Sequence, residues 1–147
     1  MASVSIFVGS MYGNADNLAA EVKNKLISLG HEATVFEDGT IEQLVAADNL
    51  LFITSTTGAG DLPDNIQPLF SQMQSQFPML TNKKVGVIAL GDSSYGDTFC
   101  GGGRQIDALV QELNATLPIE RLDIDACEHF EPWEPAAPWL MRWAAIL

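Results

Sequence analysis

Positive charge is scarce in this chain. Seven Lys and Arg stand against nineteen Asp and Glu in 147 residues, a formal charge of −12. Nucleic-acid binders need a basic stripe to meet phosphates, and anionic membrane surfaces ask for the same, so both partner classes are excluded. Cysteine is scarce too: Cys100 and Cys127 lie far apart with no CxxC. That pattern builds neither a disulfide framework nor a zinc site, and it points to a reducing, cytoplasmic setting. No apolar run approaches the roughly 20 residues of a membrane span. The first apolar run, Val4–Gly9, is too short for a secretory signal and no positive charge precedes it, so no signal peptide is expected. The nucleotide motifs GxxxxGK[ST] and GxGxxG are both missing from the first strand–turn–helix stretch.

What is present is material for a well-filled interior, with 47% hydrophobic residues. At this length one core is expected, and a single domain over residues 1–147. Strand-like runs occur at Val4–Val8, His31–Phe36, Leu50–Thr54, Val85–Leu90 and Ile119–Ile124. Helical patterns separate them. The first spans Ala15–Leu29 and ends at Gly30. The second is Thr40–Ala46, with Ile41, Leu44 and Val45 inward. The third opens on Asp64 as N-cap, with Gln67 in the capping-box position, and Pro78 closes it. Ile106, Leu109, Val110 and Leu113 mark the fourth. The fifth follows a Pro-rich acidic segment, Cys127–Pro138, and carries Trp139, Leu140, Trp143 and Ile146. Apolar strands linked by helices form a parallel sheet covered on both faces. The expected fold is therefore α/β, a doubly wound three-layer sandwich with a five-stranded parallel sheet in the order 2-1-3-4-5. Ligands of such sheets bind at the carboxyl ends of strands 1, 3 and 4.

Three unusual loops fall at those ends. The first places Ser10, Tyr12, Gly13 and Asn14 between a strand and a helix start, with no Lys or Arg in 9–17. Hydroxyls, free N–H groups and the helix dipole suit a phosphate held by neutral donors. Taken alone, the segment reads equally well as an ordinary βα turn. The second, Ser55–Asp61, gives three hydroxyls and then Gly58 and Gly60; alone it is a surface loop that needs glycines to turn. The third, the glycine-rich loop 91–103, sets Tyr95 and Phe99 among small polar residues. An aromatic there has little core to join, and a planar ligand gives it something to stack on. Cys100 has no second cysteine or basic neighbour to activate it and reads as a small loop residue.

Three motifs, GSMYGNAD, TSTTGAGDLPDN and ALGDSSYGDTFCGG, stand in this order. Through them the chain resembles the short-chain flavodoxins, and among these the small bacterial MioC/YqcA-like group, over essentially its whole length. The resemblance implies a flavodoxin-like fold and an FMN-binding, low-potential one-electron carrier, not an enzyme with its own substrate. It matches Ser10, Met11, Tyr12, Gly13, Asn14 and Ala15 to the phosphate loop, and Ser55 and Thr56 to groups reaching the phosphate and ribityl chain. Thr57, Gly58, Ala59, Gly60 and Asp61 match the loop beside the flavin ring. Leu90, Gly91, Asp92, Tyr95, Phe99 and Cys100 match the loop on the other side, with Tyr95 stacking. The chain departs from the family at Tyr12 and Ala15, where threonines are common, and at Thr57, where many members carry an aromatic.

The family also implies transient partners: a basic-faced NAD(P)H-dependent flavodoxin reductase and a redox acceptor enzyme, met by a monomer. Asp61, Asp64, Asp92, Asp97, Asp125, Glu128, Glu131 and Glu134 are expected to form one acidic face that steers them. With no Lys or Arg in the three loops up to Gly103, a second electron on the flavin is harder to add than the first. A Gly58 peptide free to rotate can offer its carbonyl to the ring nitrogen that gains a proton. Two other readings stand beside this one. An NAD(P)H-dependent flavin or quinone reductase needs a basic cluster for a second dinucleotide phosphate. A flavin-free interaction module keeps the fold alone.

Overall fold

The computed structural model describes residues 2–11 and 13–147. Its elements are β1 (Ser3–Gly9), α1 (Asn14–Ser28), β2 (Glu32–Phe36), α2 (Ile41–Ala46), β3 (Asn49–Thr54), α3 (Gln67–Gln76), β4 (Lys84–Gly91), a 3₁₀ segment (Ser93–Thr98), α4 (Gly101–Glu112), β5 (Leu122–Asp125) and α5 (Trp133–Ala144). All strand pairs are parallel, and the order is β2-β1-β3-β4-β5. The doubly wound sandwich expected from the apolar strands is the observed fold.

Each central strand is buried on both faces because successive side chains point to opposite sides. Ile6, Val8, Leu51, Ile53, Ile88 and Leu90 pack under α1 and α5, against Leu18, Val22, Leu26, Trp139 and Trp143. Phe7, Leu50, Phe52, Val85 and Val87 pack the other way, against Leu44, Leu69, Met73, Ile106 and Val110. Phe7 stacks on Phe36 and Phe52 with centroids 5.3 and 5.6 Å apart, which ties the edge strand β2 to the centre. The register brings Gly9 beside Thr54, Thr54 beside Ala89, and Gly91 beside Asp125. The strand exits therefore stand in one row, and so do the loops that leave them.

Helix ends follow local chemistry, with some corrections to the expected boundaries. At the end of α1 the Gly30 N–H bonds the Ile27 carbonyl and the His31 N–H bonds that of Leu26, with Gly30 at φ 91°, a Schellman motif. Thr40 and Gln43 make the capping box of α2. Asp64 does not cap α3: that helix begins at Gln67 with no side-chain cap. Val45, expected inward, is exposed, and Ile146, expected in the last helix, lies past its end at Ala144. The strand expected from Ile119 pairs only over Leu122–Asp125. Helix α5 starts at Trp133, well before the expected Pro138 boundary, and contains that proline.

The largest correction is at 101–103, read as loop and found as the first turn of α4. A Cβ at Gly101 would lie 2.7 Å from the Gly60 backbone, one at Gly102 2.7 Å from the Ser55 carbonyl oxygen, and one at Gly103 2.2 Å from the Ala89 Cβ. The three glycines let the helix start lie against β4 and the loop after β3, at the expense of helix propensity.

Candidate functional site

A cavity of about 400 Å³ opens at the carboxyl ends of β1, β3, β4 and β5, the position at which doubly wound sheets bind ligands. Four loops build it.

The loop after β1 is held from outside. Asn65 Oδ1 accepts the Ser10 N–H at 3.0 Å, while its Nδ2 donates to the carbonyls of Val8 (2.9 Å) and Glu37 (2.6 Å). Ser10 Oγ accepts the Gly13 N–H at 3.0 Å. Gly13 sits at φ 90° as the N-cap residue of α1, which has no side-chain cap. The N–H groups of the first turn and the positive end of the dipole are therefore not claimed by a capping side chain. Met11 and Asn14 line the cavity. Ser10 and Gly13 shape the loop without lining it, and Ala15 is buried in the core. Tyr12 lies outside the described residues.

From the loop after β3, Ser55, Thr56, Thr57 and Gly58 line the cavity. Thr57 and Asp61 pair backbone to backbone, N–H to carbonyl, at 2.9 and 2.8 Å. The pairing closes a tight tip with positive φ at Gly58 and Gly60. Thr56 Oγ1 accepts the Gly102 N–H at 3.1 Å, which leaves its hydroxyl hydrogen free to donate. Ala59 and Gly60 face a separate shallow groove beside Arg104 and Gln105, and Asp61 serves the bridge.

From the loop after β4, Leu90, Gly91, Asp92, Tyr95, Phe99 and Cys100 all line the cavity, with Thr98 added. Asp92 Oδ1 accepts the Ser94 N–H (2.9 Å) and hydroxyl (2.6 Å), and these bonds, the hydroxyl first, hold its carboxyl below the usual range. Cys100 is fully buried, and burial pushes its thiol up to about 12. It is a wall of the cavity, not a reactive group.

The fourth loop, after β5, is expected at this end of the sheet only as part of an acidic face, and none of its residues is expected to line the site. Ile124, Ala126, His129, Phe130 and Pro132, at and after β5, complete the lining. Asp125, expected on an acidic outer face, is instead buried at 8% exposure. Its Oδ1 accepts the N–H groups of Ser93 (3.0 Å) and Cys127 (2.9 Å), and Cys127 Sγ donates to Asp92 at 3.0 Å. Two carboxylates thus clamp the β4 and β5 loops together. Asp64 is also off this face: it borders a cleft with Asp38, Thr40 and Glu42. A signal for the fourth loop existed in Phe130, an aromatic in an acidic stretch, the same sign that marked Tyr95.

The donor set suits one kind of ligand. The lining combines apolar Leu90, Phe99, Cys100 and Ile124, the exposed aromatics Tyr95 and Phe130, and the neutral polar Asn14, Ser55 and Thr56, with Asn14 at the start of α1. Among its described lining residues there is no Lys or Arg. A planar apolar group with a polar, phosphate-bearing tail fits that division.

The fold and this cavity define a flavodoxin-like protein. The flavodoxin family model matches residues 6–139, and the chain belongs to the flavodoxin family. Flavodoxin YqcA of Escherichia coli (strain K12) is 47% identical over 149 residues, covering 100% of this chain and 99% of that one. Protein MioC of the same strain is 35% identical over 147 residues, covering 100% and 99%. Among solved structures, a cysteine-to-alanine mutant of flavodoxin from Pseudomonas aeruginosa matches at TM-score 0.91 and 42% identity, covering 97% of each chain.

Proposed function

We propose that this chain is an FMN-binding, low-potential one-electron carrier with no substrate of its own. It takes electrons from a basic-faced NAD(P)H-dependent flavodoxin reductase and delivers them to an acceptor enzyme, working as a monomer in the cytoplasm. The observation that carries the reading is the make-up of the cavity: neutral polar groups and an α1 start without a side-chain cap, together with apolar and aromatic residues and no Lys or Arg among its described lining. FMN, when bound, supplies the one-electron redox chemistry.

The residues do the rest. Asn14, Ser55, Thr56 and the first-turn N–H groups of α1 hold the phosphate and ribityl tail. Tyr95 stacks on the ring, and Thr57 and Gly58 border it from the loop after β3. Asp92 is ionised at neutral pH, as any carboxyl at or below its ordinary value is, so adding negative charge beside it would be unfavourable. That opposes the second electron more than the first. Gly58, at φ 49°, would let its peptide rotate so that the carbonyl could accept a hydrogen bond from a ring N–H. The two free cysteines suit a reducing compartment, and a charge of −12 disfavours self-association.

Thermal unfolding of the flavin-free chain with added FMN or FAD tests the cofactor. FMN is expected to raise the midpoint by mass action, at one per chain, and FAD much less. Equal stabilisation by FAD, or none by FMN, contradicts the proposal.

A further inference from the structure

Among the described residues, the two most exposed large apolar side chains are Phe130 (94%) and Tyr95 (68%). Both stand at the same cavity, on loops leaving neighbouring strands. Phe130 does nothing for the fold. Its backbone, however, is held on both sides. The Asp125 carbonyl accepts the N–H groups of Glu128 and His129, each at 3.0 Å, and the Glu131 carbonyl accepts the Glu134 N–H at 3.1 Å as α5 begins. The Asp125 side chain fastens this loop to Ser93 on the β4 side. A fixed main chain thus presents a free phenyl group at the edge of a cavity. The loop after β3 brings only Ser55, Thr56, Thr57 and Gly58 to that cavity, none of them aromatic.

We propose that Phe130 is a second aromatic contact of the bound flavin ring, closing on it from the β5–α5 loop as Tyr95 does from the β4 loop. This rests on the FMN-binding reading above. Burying an exposed phenyl against a planar ring is favourable through removed apolar area and ring–ring contact. The lining holds Asp92 and His129, and the loop adds Glu128 and Glu131. None of them competes for an apolar ring, so the contact is one of packing, not of charge.

The test is a titration of the flavin-free full chain with FMN and with riboflavin, which has the ring but no phosphate, followed by quenching of flavin fluorescence. Phe130→Ala is expected to weaken both ligands by the same factor, about three- to tenfold. Phe130→Tyr is expected to stay within about twofold of the parent, because it keeps the ring face. Phe130→Ala binding both flavins as tightly as the parent overturns the inference, and so does a loss seen with FMN but not riboflavin. A parent chain that binds neither flavin overturns the proposed function and this inference with it.

Discussion

Asn65 accepts the Ser10 N–H at 3.0 Å across 55 residues of chain, and the same side chain donates to the carbonyls of Val8 and Glu37. One amide thus ties the end of β1, the loop after it and the exit of β2. The loop proposed to hold phosphate is set by protein groups before any ligand arrives.

Asn65→Ala is therefore expected to cost roughly 2 kcal/mol, since two partly buried backbone groups and one exposed one lose a partner, at about 1 kcal/mol or less each. Asn65→Asp keeps the acceptor, loses both donors and faces two carbonyls, so it should do no better. Urea unfolding of the flavin-free chain checks this. A change within about 0.5 kcal/mol, as at an ordinary surface site, would show that Asn65 is not the brace.

Asp92 and Asp125 give the stability a defined acid limb. Both carboxyls lie below the ordinary value of 3.8, Asp92 chiefly through the Ser94 hydroxyl and Asp125 chiefly through Ser93, its side chain first. A carboxyl whose folded pKa is depressed contributes stability that is present above the unfolded pKa. That stability is lost as pH falls from there through the folded value. The contribution is whole at pH 7 and begins to be lost as the pH falls below about 4. Asp125→Asn should be less stable than the parent at pH 7 and should lose less on acidification below that point. Unfolding midpoints measured from pH 7 to pH 3 decide it; parallel curves for the two proteins would contradict the clamp.

The cysteines should react unequally. Cys100 is buried with its thiol pushed up to about 12. Cys127 is exposed, and its hydrogen bond to Asp92 holds the thiol above its ordinary value. A thiol reagent at pH 7.5 should label one site per folded chain, slowly, and Cys127→Ser should abolish labelling. Labelling of Cys100 in the folded chain would contradict its place in the wall.

The fold was legible because strands buried on both faces read as continuous apolar runs, and because the three glycine-bearing loops fall where such a sheet binds ligands. The places that misled have physical causes. Gly101, Gly102 and Gly103 look like loop residues, yet they are helical, and they are glycines because atoms of Gly60, Ser55 and Ala89 leave no room for a Cβ. Pro135 and Pro138 look like breakers, yet Pro135 falls in the first turn of α5, where an N–H is not needed. Asp64 fits a cap by type, but its neighbour Asn65 does the local work by tying separate segments, which no spacing rule reveals. The topology puts the loop after β5 at this end of the sheet, but it carries no glycine signature, so its acidic residues drew the reading and His129 and Phe130 are seen as lining only in the structure.

The partner reading now rests on fewer acidic groups. Asp125 is buried and Asp64 lies by another cleft; Asp97, Glu128 and Glu131 are exposed on the β4 and β5 loops. If these steer a basic reductase, the bimolecular reduction rate falls steeply as salt is raised. Neutralising the three together slows reduction at low salt and leaves FMN content unchanged. Stopped-flow reduction across a salt series measures both, and a flat salt dependence would leave the charge as a solubility feature.

The central claim is one-electron carriage by a bound flavin, and an anaerobic stepwise reductive titration of the FMN-loaded chain, followed by absorbance, tests it most directly. The account predicts two separated one-electron steps, the second at clearly lower potential, with a distinct absorbing species accumulating near half reduction. Direct passage from the oxidised to the fully reduced spectrum, with no such species at any point, would contradict it.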